Sequence, residues 1–395
     1  MEYLSERIKA MSVSQTLAMA QKSRELKEKG IDVISLSLGE PDFNTPDYIK
    51  EAAKKAIDDN YSKYPPVPGY NDLREAISRK FLEENGLTYS VDQIIVSAGG
   101  KHSIINVILS LINPGDEVIL LAPYWVSYYD QVILAGGKPV IVRAHIENDF
   151  KVTPEQLESA ITDKTRLIIF NSPSNPTGMV YSGEEIERIA RVVERHEGVF
   201  ILSDEIYEHI IFEGTHVSMA SYDFIYDRVV TVNGVSKGYA MTGWRIGYIG
   251  APVWIAKACN KLQGQFTSGV CSIAQRAALA ALQGKSDSRK KMRDAFLRRR
   301  DLICNLLGDI KELKLRVPQG AFYVMPDVSH YLGKAKIVTT DDLALYLLDK
   351  AQVAVVGGDA FGAPECIRIS YATSDELIIE AVRRLKGALE LLDNS

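Results

Sequence analysis

Cysteine is scarce in this 395-residue chain, and the four present (Cys259, Cys271, Cys304 and Cys366) stand far apart with no C-x-x-C pair. That spacing excludes a disulfide framework and a thiolate zinc site. It reads as free buried thiols of a reducing compartment. The six histidines form no H-E-x-x-H pair, so no metal site of that kind is expected. Positive charge is not in excess: 46 Lys and Arg stand against 51 Asp and Glu, a net charge of −5. A nucleic-acid surface is therefore not expected. The basic triplet Arg298-Arg299-Arg300 reads as the solvated face of a helix. Long apolar runs are missing too. The most apolar stretch, Ile104 to Ile112, is far shorter than the about 20 residues that cross a bilayer. The N-terminal Met1-Glu2-Tyr3-Leu4-Ser5-Glu6-Arg7 lacks the apolar core of a secretory signal. A cytoplasmic protein without membrane or nucleic-acid partners is the expectation. There is no internal repeat and no low-complexity tract.

What remains is an ordinary globular composition, 46% hydrophobic and 25% charged, in a chain long enough for two domains. From about residue 90 to 255, short β-branched runs alternate with helical stretches. The strand-like runs are Ile94–Ser97, Val118–Leu121, Pro139–Val142, Leu167–Phe170, Phe200–Leu202, Val229–Val232 and Trp244–Ile249. Helices are expected from Gly99-Gly100 to Leu111 and over Ser127–Leu134. Strands that are apolar throughout imply a sheet covered on both faces, and alternation with helices implies a mostly parallel α/β sheet. From about 285 the pattern changes to a long amphipathic helix (Asp287–Leu307), the strand-like Lys314–Val317 and Ala321–Met325, a helix near Asp341–Lys350, and the strand-like Val353–Val356 and Cys366–Ser370. This predicts a large domain over residues 46–285 with a seven-stranded sheet flanked by helices. A smaller α+β domain is predicted from residues 1–45 with 286–395.

In open α/β sheets, ligands sit beyond the carboxyl ends of the strands. Five polar clusters fall there: Gly99-Gly100-Lys101, Pro123-Tyr124-Trp125, Asn171 to Asn175, Asp204, and Lys237. Packing alone does not explain five such clusters at one edge. Lys237 lies in Asn233-Gly234-Val235-Ser236-Lys237-Gly238-Tyr239-Ala240-Met241-Thr242-Gly243-Trp244-Arg245. A lysine placed there can join an aldehyde covalently and then carry a proton. Asp204 can pair with a ring nitrogen and hold it protonated. Tyr207, three residues on, and Asn175 can reach a phenolic oxygen. Gly99-Gly100 at a helix start forms a phosphate cradle, which Arg245 can neutralise and to which Ser236 can add a hydroxyl. It is not a nucleotide loop, because Ile95 stands where G-x-x-x-x-G-K-[ST] needs glycine and His102 follows Lys101. Trp125 can stack on a flat ring. Arg368, between Ile367 and Ile369, is costly to bury unless an anion such as a carboxylate meets it. Tyr64 sits in a proline-rich loop, Lys63-Tyr64-Pro65-Pro66-Val67-Pro68-Gly69. These grips match pyridoxal 5'-phosphate: carbonyl, ring nitrogen, phenolic oxygen and phosphate.

Nearly the whole chain, from Leu38-Gly39-Glu40-Pro41-Asp42-Phe43 to Arg368-Ile369-Ser370-Tyr371-Ala372-Thr373, resembles class I/II aminotransferases of fold type I. Within these it is most similar to the bacterial aspartate aminotransferases of subgroup I-gamma. The motifs that carry the resemblance are Ser-Pro-x-Asn-Pro-Thr-Gly, Ser-Asp-Glu-Ile-Tyr and Ser-Lys-x-Tyr-Ala-Met-Thr-Gly-Trp-Arg-Ile-Gly. The resemblance implies that Lys237 joins the cofactor, Asp204 holds its ring nitrogen, and Tyr207 and Asn175 hold its phenolic oxygen. Gly99, Gly100 and Arg245 would hold the phosphate, with Lys101 and Ser236 beside it and Trp125 on the ring face. Arg368 would bind the α-carboxylate of the amino or oxo acid, helped by the Gly39 backbone and Asn175. Tyr64 would reach the site of a neighbouring subunit in a homodimer with shared active sites.

A substrate with a second carboxylate needs a second cation, and Lys101 suits that task, with Ser14 and Thr16 adding hydroxyls. The expected reaction is transfer of the amino group of L-aspartate to 2-oxoglutarate by a ping-pong cycle. Alternatives are aromatic amino acids, alanine or prephenate, and, more distantly, a non-catalytic binding protein. Some relatives that accept prephenate carry a lysine shortly after the N-terminal Met-x motif. Ser12 stands at that place here.

Overall fold

Seven strands build the centre of the molecule, as a computed structural model shows: β1 Ile94–Ser97, β2 Glu117–Ala122, β3 Lys138–Arg143, β4 Thr165–Asn171, β5 Phe200–Asp204, β6 Val229–Gly234 and β7 Gly247–Gly250, all but β3 largely buried. The structure describes residues 3–284 and 286–394; Met1, Glu2, Lys285 and Ser395 lie outside it. The strands form one sheet in the order β1-β7-β6-β5-β4-β2-β3. Only β7 runs antiparallel to its neighbours, β1 and β6, and every other pairing is parallel.

Adjacent residues of a strand point to opposite faces, and in the inner strands both faces are dry. Ile168 and Phe170 of β4 belong to one apolar cluster, with Ile119, Ile201 and Val229. Leu167 and Ile169 belong to another, with Leu120, Leu202 and Val232. This two-sided burial is why the strands read as continuous apolar runs. The helices that cover them start where local chemistry directs. Helix Gly183–Glu194 opens on a reciprocal Ser182/Glu185 capping box and buries Ile186, Ile189 and Val193.

The last hundred residues build the smaller α+β part. Helices Ser288–Gly308, Thr340–Ala351 and Asp375–Asp393 pack on a three-stranded antiparallel sheet of Val356–Gly357, Ile367–Ser370 and Tyr323–Val324. Phe296, Leu307, Leu343, Ile378 and Leu385 fill its core. Ile34–Ser35 pairs in parallel with Val353–Ala354, tying the N-terminal segment to this part. The earliest residues go elsewhere: Ser12 donates through N–H and Oγ to Asp130, on helix Ser127–Leu134 of the sheet half.

Four expectations need correction. The run Trp244–Ile249 becomes strand only from Gly247, because Thr242–Trp244 form a 3₁₀ turn and Arg245 is left-handed at φ 60°. Lys314–Val317 makes a single bridge, Lys314 to Asp327, and no strand. The arginine triplet is not a solvated face, since consecutive helical residues point about 100° apart. Arg298 is exposed, whereas Arg299 is buried on Asp42 at 2.7 Å and Arg300 is buried on Glu213 at 2.7 Å. Finally, all four cysteines are free but Cys271 is exposed, because it occupies the surface cap position of helix Ser272–Gln283.

Candidate active site

The carboxyl ends of the parallel strands open into a cavity of about 310 Å³. Thirteen of the fifteen site residues predicted from the sequence line it: Ser14, Thr16, Gly39, Gly100, Lys101, Trp125, Asn175, Asp204, Tyr207, Ser236, Lys237, Arg245 and Arg368. Gly99 stands just behind, and Tyr64 lies outside.

Lys237 follows the end of β6 and is half-buried. Its Nζ donates to the Gly39 carbonyl at 2.6 Å and lies 5.7 Å from the Tyr207 ring. Burial pulls its pKa down to about 8, with Arg368 and Arg245 acting the same way against the acids Glu40 and Asp204. Asp204, the last residue of β5, is buried. Its Oδ2 accepts from the Tyr128 hydroxyl at 2.7 Å and its Oδ1 accepts from the Ile206 amide at 3.3 Å. Burial raises its pKa to about 6, opposed by the Tyr128 hydrogen bond. The backbone here is tied by Asn171, whose Nδ2 donates to the Asp204 carbonyl at 2.7 Å and whose Oδ1 accepts from the Asn175 amide at 2.8 Å.

Arg368 is 1% exposed and has no acidic partner among the described residues. One amino group donates to Asn175 Oδ1 at 3.0 Å and the other to the Ser37 carbonyl at 2.5 Å, while Nε is buried without a partner among the described residues. Its guanidinium lies against the Tyr323 and Phe361 rings at 4.7 and 4.9 Å. Tyr323 also shares a 2.6 Å hydrogen bond with Tyr207, and its hydroxyl presses on Gly39 so closely that a Cβ there would collide with it.

At the other end, Gly99 (φ 85°) caps helix Gly100–Leu111. Arg245 packs on Gly99 where a Cβ would otherwise sit, held by the Thr242 and Ala98 carbonyls at 2.7 and 3.3 Å. Glycine is needed at this position for both its φ and its space. Lys101 extends 4.9 Å from the Trp125 ring with no acidic partner among the described residues. Its pKa is lowered by burial and by Arg245. Thr16 Oγ1 is buried without a partner among the described residues, and Glu40 at the rim accepts from the Thr242 hydroxyl.

Four basic side chains (Lys101, Lys237, Arg245, Arg368) thus face two acids (Asp204, Glu40) across one cavity. The excess of cations, the helix N-terminus bordered by glycine and arginine, and the orphaned guanidinium fit a ligand with several negative charges. A buried acid and a half-buried amine at the centre fit an aldehyde-bearing ring base. Tyr64 is 97% exposed and touches none of this within the chain. Sequence reasoning missed Tyr128 and Tyr323, and placed Asn171 in a polar cluster without giving it a role. Asn171 was visible as the residue opening the Asn-Pro motif, but Tyr128 and Tyr323 look like any core aromatic in their runs.

Fold and site together define an α/β enzyme with an anion-binding cleft at the sheet edge. The family model "Aminotransferase class I and II" matches residues 31–385, and the chain belongs to that family: it is an aminotransferase. Members of this family generally depend on pyridoxal phosphate. The chain is 49% identical to an aspartate/prephenate aminotransferase of Cereibacter sphaeroides, over 98% of each chain. It is 46% identical to an aspartate aminotransferase of a Bacillus species, over 97% and 98%. Among solved structures it superposes on the Rhizobium meliloti aspartate aminotransferase with TM-score 0.94, at 43% identity over 98% of each chain. It superposes on the Thermus thermophilus enzyme with maleate at TM-score 0.93, at 42% identity over 98% and 100%. The seven-stranded sheet and second, smaller domain are those of this fold.

Proposed function

We propose that the protein is a pyridoxal-phosphate enzyme that exchanges amino groups between L-aspartate and 2-oxoglutarate. The observation that carries this reading is the meeting of a half-buried amine, a buried acid and a buried, acid-free arginine in one cavity. When bound, pyridoxal phosphate supplies an aldehyde that condenses with amines and a ring that takes up the electron pair left at the α-carbon. The chain's own residues do the rest. Lys237 is the amine that anchors the cofactor and, once displaced, moves the proton at the substrate's α-carbon on one face. Asp204 keeps the ring nitrogen protonated. Tyr207 and Asn175 hold the phenolic oxygen, and Trp125 covers the ring. Gly99, Gly100, Ser236 and Arg245 hold the phosphate.

Arg368 takes the α-carboxylate with a fork already aimed by Asn175 and the Ser37 carbonyl, which reduces the ordering cost of binding. The Gly39 backbone assists beside it. Lys101 takes the second carboxylate, with Ser14 and Thr16 at its side. The maleate bound to the Thermus relative, a four-carbon diacid, supports a two-carboxylate site. Prephenate is a second reading, favoured by the names of several relatives. Against it, Ser12 brings no cation and is engaged with Asp130.

The unit we propose is a cytoplasmic homodimer in which Tyr64 completes the partner's phosphate site. We also propose the division at residues 46 and 285, supported by the separate apolar clusters on either side. Its sheet half gives Tyr207, Ile210 and Ala240 to the other core.

The test of substrate choice is a half-reaction panel, in which holoenzyme is mixed with each amino acid and loss of the cofactor's yellow band is followed. Aspartate and glutamate should react fastest. Lys101→Ala should lower kcat/KM for aspartate about 10- to 100-fold, the value of a charged hydrogen bond, and spare alanine. Undiminished aspartate turnover in that variant would remove Lys101 from the diacid site.

A further inference from the structure

We propose that Tyr128 is a positioning residue for Asp204, its hydroxyl orienting the carboxylate that meets the cofactor's ring nitrogen. The inference rests on the reading of Asp204 given above. Tyr128 is the second residue of helix Ser127–Leu134, 1% exposed, and its hydroxyl points across to the end of β5. Among the described residues, its 2.7 Å bond to Oδ2 is the only short hydrogen bond that the Asp204 side chain accepts. The main chain of Asp204 is fixed separately by Asn171. The carboxylate is therefore held at two points, one oxygen by a strong donor, and the other is left with lone-pair capacity for an N–H.

The groups around Asp204 make this donor matter. Glu205 next in sequence opposes its ionisation, and Lys237 favours it. Tyr207 also lies within its field. Glu205 is occupied by His216 and by the hydroxyls of Ser203 and Ser218, so it does not compete for the Tyr128 proton. Burial and the charge of Asp204 hold the Tyr128 phenol well above its ordinary pKa, so it stays a donor. Without that donor, a carboxyl already pushed upward by burial would keep its own proton and hold a pyridinium poorly. The same ring meets Trp125 edge-on, at 5.4 Å and 88°. A Tyr128→Phe change keeps that contact and removes only the hydroxyl.

The experiment titrates apoenzyme with pyridoxal phosphate and with its 1-deaza analogue, which carries C–H in place of the ring nitrogen. Tyr128→Phe should weaken pyridoxal phosphate by about 10- to 100-fold, the range for a hydrogen bond to a charged group. It should leave the affinity for the deaza analogue at the wild-type value. Equal losses on both ligands would mean a merely structural role and would overturn the proposal, as would no loss on either. Should the Phe variant not fold, Tyr128→Leu is judged by the same criterion, a loss on pyridoxal phosphate that exceeds the loss on the analogue. Wild-type protein that binds neither compound would instead sink the cofactor reading itself.

Discussion

Lys237 and Arg368 are both cations removed from water, and burial acts on them differently. The lysine can shed its proton, and its pKa falls to about 8. The guanidinium cannot, so it must find an anion instead. One residue is thereby poised as a nucleophile and the other as a carboxylate receptor. The sign of the pH dependence follows. Only the neutral amine attacks an aldehyde, and its share grows as pH rises until the folded-state pKa is passed. The rate at which apoenzyme captures pyridoxal phosphate should rise about tenfold per pH unit below pH 8 and flatten above it. Stopped-flow absorbance measures it. A rise continuing to the ordinary lysine range near 10.5 would show that burial leaves the amine unperturbed.

At the scale of elements, the site depends on how strands end. β5 ends on Asp204, β6 leads to Lys237, and β1 leads through Gly99 into a helix start. Motifs far apart in the chain meet because parallel strands bring all their carboxyl ends to one edge. The proline-rich loop around Tyr64 is the exception: its tyrosine is exposed on the single chain. If the dimer shares its sites, a loop from one subunit completes the pocket of the other. Mixing Lys237→Ala and Tyr64→Ala protomers puts both defects in one site of each hybrid and leaves the other intact. Activity at limiting cofactor should reach about a quarter of wild type for random pairing into two-fold dimers. Activity no greater than the two parents' sum would mean that each chain works alone.

For the whole molecule, the sheet was legible because six of its strands are buried on both faces and leave an apolar signature; the edge strand Lys138–Arg143 is largely exposed. The site was legible because its polar residues interrupt that signature at one edge. What escaped depends on partners far away in the chain. Nothing local distinguishes Arg299 and Arg300, which face acids at Asp42 and Glu213, from Arg298 beside them. Nothing in Ser-Tyr-Tyr-Asp marks Tyr128 as the donor to Asp204 rather than a filler of the core. Substrate choice is harder still, because it turns on Lys101 and the N-terminal segment rather than on the fold.

All of these parts converge on one covalent attachment. Holoenzyme reduced with borohydride, digested and mapped by mass spectrometry reads it directly. The account predicts a pyridoxyl label on Lys237 alone, and a label on another lysine, or no label at all, would contradict it.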